Sequence, residues 1–315
     1  MSSIYIEDTE YELPDVVVTN ADLESEFPEW DMARMTKRTG VRSRHIAAIG
    51  ETALDLGYRA AMQMDRRCVD ALIVCTETPD YPVPPNSCVL HGMLGLPSNV
   101  MAFDINMGCS GFVYGVGVAR GLIVSGAAER VLLIAGDTYS RLIHPADRAV
   151  RGVFGDGVAA AIIGDRAVGF EVIDMSFATS GRQHEDFIVR QRGARGYPAT
   201  KGCIEMDGAG ILSFFSDAIP RAVRSLLSRN LLDIDDIELF VFHQASRVIL
   251  DGLAHALRIP EKRFVFAMED TGNTVSASIP IALRRTGHSV SAGGYVVLCG
   301  FGAGLSWATA LVKKC

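Results

Sequence analysis

The chain has no pair of cysteines in a C-x-x-C spacing, and its seven cysteines fall at irregular intervals: Cys68, Cys75, Cys88, Cys109, Cys203, Cys299 and Cys315. An odd, unpatterned set excludes a disulfide framework and a zinc knuckle. It points to a reducing cytoplasm, with most of the thiols expected as inert buried fillers. Met1–Glu12 carries acids and lacks the basic-then-apolar order of a signal peptide. There is no excess of positive charge either. The net charge is −7 and the pI about 5.5, a poor surface for nucleic acid. An acidic partner would need a local basic patch. One stretch, Ser289–Val312, lacks charge altogether and is long enough to span a bilayer. It holds five glycines, however, with Val296–Leu298 and Ala308–Val312 on either side of Gly300-Phe-Gly-Ala-Gly304. Two buried strands joined by a glycine turn are therefore expected, and no membrane span.

What is present is a globular composition. The 315 residues are about half apolar, with 31 glycines, enough for a large core. Apolar runs at Ala71–Cys75, Met101–Ile105, Val131–Ala135, Ala159–Ile163, Leu239–Phe242, Phe264–Ala267 and Tyr295–Cys299 read as buried strands. Glu51–Met64, Gly111–Ser125, Phe214–Asn230 and Ser246–Leu257 read as helices. The alternation gives an α/β fold with covered sheets.

The two halves, 1–165 and 166–315, echo each other. Phe154-Gly-Asp-Gly precedes one apolar strand and Phe301-Gly-Ala-Gly another. Leu72-Ile-Val-Cys-Thr matches Phe240-Val-Phe-His243-Gln, and the segment leading to Cys109 matches the one leading to Asn273. A duplicated unit follows, with all three polar candidates where strands hand over to helices. Phe177–Ile204, rich in Arg, Gly and Gln, reads as a long connection between the halves, of the kind that forms lids.

Cys109 stands where a helix begins. Unpaired N–H groups and the helix dipole there favour a thiolate, lowering a pKa of about 8.5 toward about 6.5. The helix carries Gly111, Gly115, Gly117, Ala119 and Gly121. Each interior glycine costs about 1 kcal/mol relative to alanine, so close packing on both sides is expected. The plain alternative is that Cys109 is another buried small hydrophobe. His243 ends an apolar strand, and Asn273 lies in Gly-Asn-Thr, where a turn or helix cap is the ordinary reading. A Cys/His/Asn set also describes a thiol protease. Here His243 and Asn273 sit at the mouths of different strands and can each address a substrate oxygen, which suits a thioester enolate better than a relay.

At these residues the chain resembles the β-ketoacyl-acyl-carrier-protein synthase III family of the thiolase superfamily. The resemblance rests on Asn20-Ala-Asp-Leu, Arg38-Thr-Gly-Val-Arg-Ser-Arg-His-Ile-Ala, Asp147-Arg148, Phe154-Gly-Asp-Gly, His243-Gln-Ala-Ser, Gly272-Asn-Thr-Val-Ser-Ala-Ser-Ile-Pro and Phe301-Gly-Ala-Gly. It implies a homodimer with a five-layer αβαβα core. It implies decarboxylative condensation of an acyl-CoA with malonyl-acyl-carrier protein through an acyl-Cys109 intermediate. His243 and Asn273 would hold the malonyl thioester carbonyl, and the backbone N–H groups of Cys109 and Ala303 the oxyanion. Phe301 would pack beside the thiol, Arg38 and Arg148 would clasp the CoA nucleotide, and Tyr81–Pro85 would lie at the dimer interface near the acyl pocket. Acyl-CoA is then a substrate, with no cofactor or metal required.

The chain departs from the family pattern at Ser246 (commonly Asn), which shortens a pantetheine contact. Arg34 replaces the usual Trp, with Trp30 upstream, which leaves adenine stacking unsupported. Ala303 stands where Gly is common, and Val83 where Phe is common. Arg221 and Arg224, at i,i+3 spacing, and Arg247 are the candidate docking patch for the acidic carrier. A competing function keeps the acyl-cysteine but passes the acyl group to an alcohol or amine. A non-catalytic partner subunit is disfavoured by the intact Cys109, His243 and Asn273. Non-decarboxylating thiolases add a second C-terminal cysteine, and Cys299 reads as core.

Overall fold

The computed structural model describes residues 3–190 and 202–315. Nine strands form one sheet. In chain order they are β1 (Tyr5–Glu12), β2 (Ala71–Cys75), β3 (Met101–Ile105), β4 (Val131–Asp137), β5 (Gly157–Gly164), β6 (Phe170–Thr179), β7 (Ile237–Phe242), β8 (Tyr295–Gly302) and β9 (Ser306–Lys314). Six helices cover them: α1 (Ala53–Met62), α2 (Asn86–Met93), α3 (Gly111–Val124), α4 (Gly208–Arg229), α5 (Arg247–Leu257) and α6 (Ser278–Thr286).

The spatial order is β3-β2-β4-β5-β1 followed by β6-β9-β8-β7. In the first group β2 runs parallel to β3 and β4, while β5 is antiparallel to β4 and β1. The second group repeats this: β7 is parallel to β8, and β9 is antiparallel to β8 and β6. Phe264–Ala267, expected as a buried strand, is not one. It makes a single parallel bridge, Phe240 to Phe264, at the place β3 occupies in the first half. The two groups meet edge to edge through only two residue pairs, Tyr5 with Glu171 and Ile6 with Phe170.

β2, β4 and β5 form because their runs are almost wholly apolar. All residues of β2, β4 and β5 are buried. α1 and α2 cover the outer face of the first group, and α4 and α5 that of the second. α3 touches β2, β4 and β5 on one side and β8 and β9 on the other, and α6 likewise touches strands of both groups. The layers are therefore αβαβα, with α3 and α6 at the centre. The glycines of α3 permit this. A Cβ would lie 2.4 Å from Cys75 Sγ at Gly111, 2.6 Å from Leu133 at Gly115 and 2.4 Å from Phe177 at Gly117.

Other expectations need correction. Ser289–Val312 does form two strands with a turn, and among the described residues no helix is long and apolar enough to cross a membrane. Phe177–Ile204 is not one continuous connection. Its start finishes β6, and Phe187–Ile188 pairs with Glu205–Met206 in a small ribbon. Residues 191–201, on which the lid reading also fell, lie outside the described residues. Cys75, Cys109 and Cys299 are buried, but Cys68, Cys88 and Cys315 are exposed, so most of the cysteines are not core fillers.

Candidate active site

The C-terminal ends of β3, β7 and β8 and the segment after Phe264 bring the candidates into one cluster. β3 leads to Cys109 just before α3, and β7 leads to His243. The segment after Phe264 leads to Asn273, and β8 runs into the turn Phe301-Gly-Ala303-Gly. Cys109 is buried, in an apolar cluster with Tyr139, Leu142, Phe154 and Val275, and Ala303 packs against that cluster. The turn can approach only because it carries glycines. A Cβ at Gly302 would lie 2.6 Å from Cys109 Cβ and 2.8 Å from its Sγ, and one at Gly300 would lie 2.7 Å from Ser110 Cα. Ser110 Oγ and Ser306 Oγ, 2.8 Å apart, tie the two sides together, and Ser306 Oγ also donates to Ala303 O at 2.8 Å.

His243 and Asn273 face each other, with Asn273 Nδ2 3.4 Å from His243 Nε2. Burial lowers the His243 pKa to about 3, so the imidazole is neutral at physiological pH. Its Nδ1 lies 2.8 Å from Ser278 Oγ, a hydroxyl that can either donate or accept and so accommodates either tautomer. The ring stands edge-on to Phe301, with centroids 5.5 Å apart. Asn273 Oδ1 accepts from Val275 N at 2.9 Å, which fixes the amide with its NH2 toward the histidine. Val275 has φ 53°, a left-handed conformation that a β-branched residue rarely adopts. Strain of this kind costs on the order of 1–3 kcal/mol and persists only where the surroundings enforce it.

The expectation of a lowered Cys109 pKa is overturned. Burial is the largest influence and raises it well above the ordinary thiol value, with the Glu77 and Asp137 carboxylates adding to the rise. The helix-start argument considered only the local dipole, whereas the fold brings two acids to the same edge. Asp137 accepts from Glu77 N at 2.7 Å, from Thr76 Oγ1 at 3.0 Å and from Ser276 Oγ at 3.0 Å. Tyr139 donates to Glu77 Oε2 at 2.8 Å. Sequence reasoning missed Glu77, Asp137, Tyr139, Ser278 and Val275. The one available signal was an acid two residues past a wholly apolar strand.

The remaining candidates lie outside this cluster. Arg38 and Arg148 are exposed, at the end of the helix Met32–Thr39 and the start of a short helix at Arg148–Arg151. Ser246 is the N-cap residue of α5 but makes no side-chain capping bond. Arg221 pairs with Asp217 at 2.6 Å, and Arg224 donates to Ala256 O at 2.6 Å. Arg247 lies 3.6 Å over the Phe266 ring. Trp30 is buried and stacked on Phe27, at 4.2 Å between centroids, so it offers no open face to a nucleotide base.

Comparison with known proteins decides the family. The family models described as 3-oxoacyl-[acyl-carrier-protein] synthase III and its C-terminal region match residues 103–181 and 227–314. The β-ketoacyl-[acyl-carrier-protein] synthase III of Aliarcobacter butzleri (strain RM4018) is 34% identical over 321 residues, covering 96% of this chain and 95% of its own. The chain belongs to the β-ketoacyl-acyl-carrier-protein synthase III family. It is a condensing enzyme of the acyltransferase type with the thiolase fold. A 2.1 Å crystal structure of a 3-oxoacyl-(acyl-carrier-protein) synthase III superposes with TM-score 0.92 at 37% identity, covering 99% of each chain. The synthase III of Pseudomonas aeruginosa PAO1 gives 0.90 at 32% identity, covering 100% of this chain and 98% of that one. Xanthomonas campestris OleA, at 16% identity and TM-score 0.85, shares the fold alone.

Proposed function

We infer that the chain loads an acyl group from an acyl-CoA onto Cys109 and condenses it with malonyl-acyl-carrier protein. The carrying observation is that buried Cys109 packs against the Gly302 turn, that Phe301 of the same turn meets the neutral His243, and that His243 faces Asn273. In loading, Cys109 sulfur bonds to the acyl carbon and the CoA sulfur leaves. In condensation, the malonyl carboxylate departs as CO2 and its bonding electrons form a thioester enolate. His243 Nε2–H and Asn273 Nδ2–H donate to that oxygen, and the neutral imidazole serves as a donor rather than an acid. The enolate carbon attacks the acyl carbonyl, and the tetrahedral intermediate expels Cys109 as a thiolate. Its oxyanion sits against the N–H groups of Cys109 and Ala303, a role that the packing of Ala303 on the Cys109 cluster supports.

The same reading assigns Arg38, Arg148 and Ser246 to the CoA arm and Phe301 to the substrate-binding wall beside the thiol, where its ring meets His243 edge-on. It assigns Arg221, Arg224 and Arg247 to the carrier surface, and halves divided between 165 and 166, in the connection from β5 to β6. It needs no resident cofactor or metal. Tyr81 and Val83, 52% and 80% exposed, support a homodimer closing over Tyr81–Pro85. The test is intact mass after incubation with a panel of acyl-CoAs, followed by CO2 release from malonyl-carrier protein. An adduct confined to Cys109 and CO2 matching product are expected. Loading without decarboxylation, with the acyl group passing to an alcohol or amine, would replace this reading.

A further inference from the structure

Each round moves a proton off Cys109 and later returns one. Loading forms the Cys109–acyl bond, breaks the acyl–CoA bond and leaves the thiol proton for the departing CoA sulfur. Condensation expels a Cys109 thiolate, which takes up a proton before the next round, as loss of CO2 from a carboxylate requires. Neither of the two candidate donors from the second half carries this proton. Asn273 does not titrate, and His243 stays neutral down to about pH 3. Asp137 is engaged by the donors of Glu77, Thr76, Thr78 and Ser276. Burial pushes the Tyr139 phenol well up.

Glu77 is different. It stands two residues beyond β2, on the strand between those that deliver Cys109 and Asp137. A Cβ at Gly108, the residue before Cys109, would lie 2.5 Å from Glu77 Oε2, so the missing side chain is what lets the carboxyl close on the nucleophile's own backbone. Tyr139, packed in the cluster of Cys109, donates to that same oxygen. We propose that Glu77 is the proton store of Cys109: it takes the thiol proton during loading, passes it to the CoA sulfur, and relays a solvent proton to the thiolate after condensation. The proposal rests on the acyl-Cys109 reading. Burial and the neighbouring Asp137 raise Glu77 to about 7, against the lowering effect of the Tyr139 hydrogen bond, so both of its forms are populated near neutrality. The titratable groups facing it are Asp137, Tyr139, Cys109 and Cys75, all of them acids.

The experiment is rapid-quench loading from acyl-CoA, read by intact mass between pH 5.5 and pH 9 (the range is about one and a half to two units either side of the Glu77 value). Wild-type loading should rise with pH through an apparent pKa of about 7 and then level off. Glu77→Gln keeps the shape and an acceptor for Tyr139. It should lose that limb and load about a hundredfold more slowly above pH 7, while Glu77→Asp restores part of the limb. Single-turnover condensation by enzyme already acylated should stay within about threefold, because reprotonation follows it. A limb that survives in Glu77→Gln overturns the proposal. So does an equal fall of both half-reactions with a lowered Tm, which marks a structural role. A wild-type chain that never gains acyl mass overturns the condensing reading along with this one.

Discussion

The turns Phe154-Gly-Asp-Gly and Phe301-Gly-Ala-Gly precede equivalent strands of the two halves, and each supports a residue of the other half. In the first, Gly155 N donates to Asn273 O at 3.0 Å and Asn273 N donates to Val153 O at 2.8 Å. A Cβ at Gly155 would lie 2.1 Å from Thr271 O. In the second, Gly302 faces Cys109. The third residue of each turn differs. Asp156 is a buried strut that accepts from Ala47 N, Ser140 N and Ser140 Oγ. Ala303 is a small neighbour of the thiol. Duplication thus supplies two equal supports, crossed between the halves. On the proposed reading, divergence then divides the chemistry, with nucleophile and acids from the first half and neutral donors from the second. Neither half holds a complete site.

The strongest way to break this division is to remove one side of it. Cys109→Ser should abolish the acyl adduct in intact mass. His243→Ala and Asn273→Ala should still form acyl-Cys109 but lose condensation by about 10²–10³, or about 2.7–4 kcal/mol per donor. Full CO2 release by Asn273→Ala would remove the enolate role. The crossed supports give a smaller effect. Gly302→Ala should slow loading first, because its methyl meets Cys109. Gly155→Ala should slow condensation first, because its methyl displaces the Thr271–Asn273 backbone. Each should also cost about 1–3 kcal/mol of stability from overpacking. Melting curves and the two half-reactions, measured on both variants, check this, and indistinguishable profiles would show that the crossing has no functional meaning.

The exposed arginines sharpen the comparison more gently. Arg38→Glu or Arg148→Glu should weaken acyl-CoA capture and spare decarboxylation, whereas Arg247→Glu should raise the apparent KM for the carrier and spare loading. Arg247 also covers the Phe266 ring, so a small loss of Tm, on the order of a cation–π contact of about 0.5–1 kcal/mol, is expected with it. A joint fall of both half-reactions in all three variants would dissolve the two-surface picture.

How much of this could be read from the sequence depended on how local the cause was. β2 was legible to the residue because an apolar run bounded by polar residues needs no partner to be recognised, and β3 was legible too although Asp104 lies within it. β1 was not, since its Glu7 is buried only through Arg130 and Arg166, more than a hundred residues away. α4 was expected to begin at Phe214 and begins at Gly208. Two glycines weaken the helical pattern there, but the Asp207 carboxylate accepts from Ala209 N and Gly210 N and starts the helix earlier. Phe264–Ala267 has strand composition, yet its aromatic rings are used otherwise: Phe264 packs edge-on to Phe242, and Phe266 lies under Arg247. Cys109, His243 and Asn273 could be read because they lie in motifs. Glu77 and Asp137 could not, because only the order β3-β2-β4 sets them beside the thiol.

The division between the halves also predicts opposite pH dependences of stability. Glu77 is raised from 4.5 to about 7, so the folded chain holds a proton that the unfolded chain has already lost. Its contribution weakens the fold as pH rises from about 4.5 and levels off above about 7. His243 is lowered from 6.5 to about 3, so the unfolded chain gains a proton that the folded chain refuses. Its contribution weakens the fold as pH falls below about 6.5, with a limiting slope of about 1.4 kcal/mol per pH unit for one proton. The Tm of Glu77→Gln relative to wild type should therefore climb between pH 5 and pH 7 and hold steady to pH 8, since glutamine removes the buried charge. The Tm of His243→Gln relative to wild type should move the other way, improving as pH drops from 6.5, whatever constant offset the lost Ser278 contact adds. Melting curves for the two variants across pH 5–8 separate the cases, because only their slopes matter. Parallel slopes would mean that burial does not hold the acid protonated and the imidazole neutral. The partition into a proton-bearing half and a neutral-donor half would then fail.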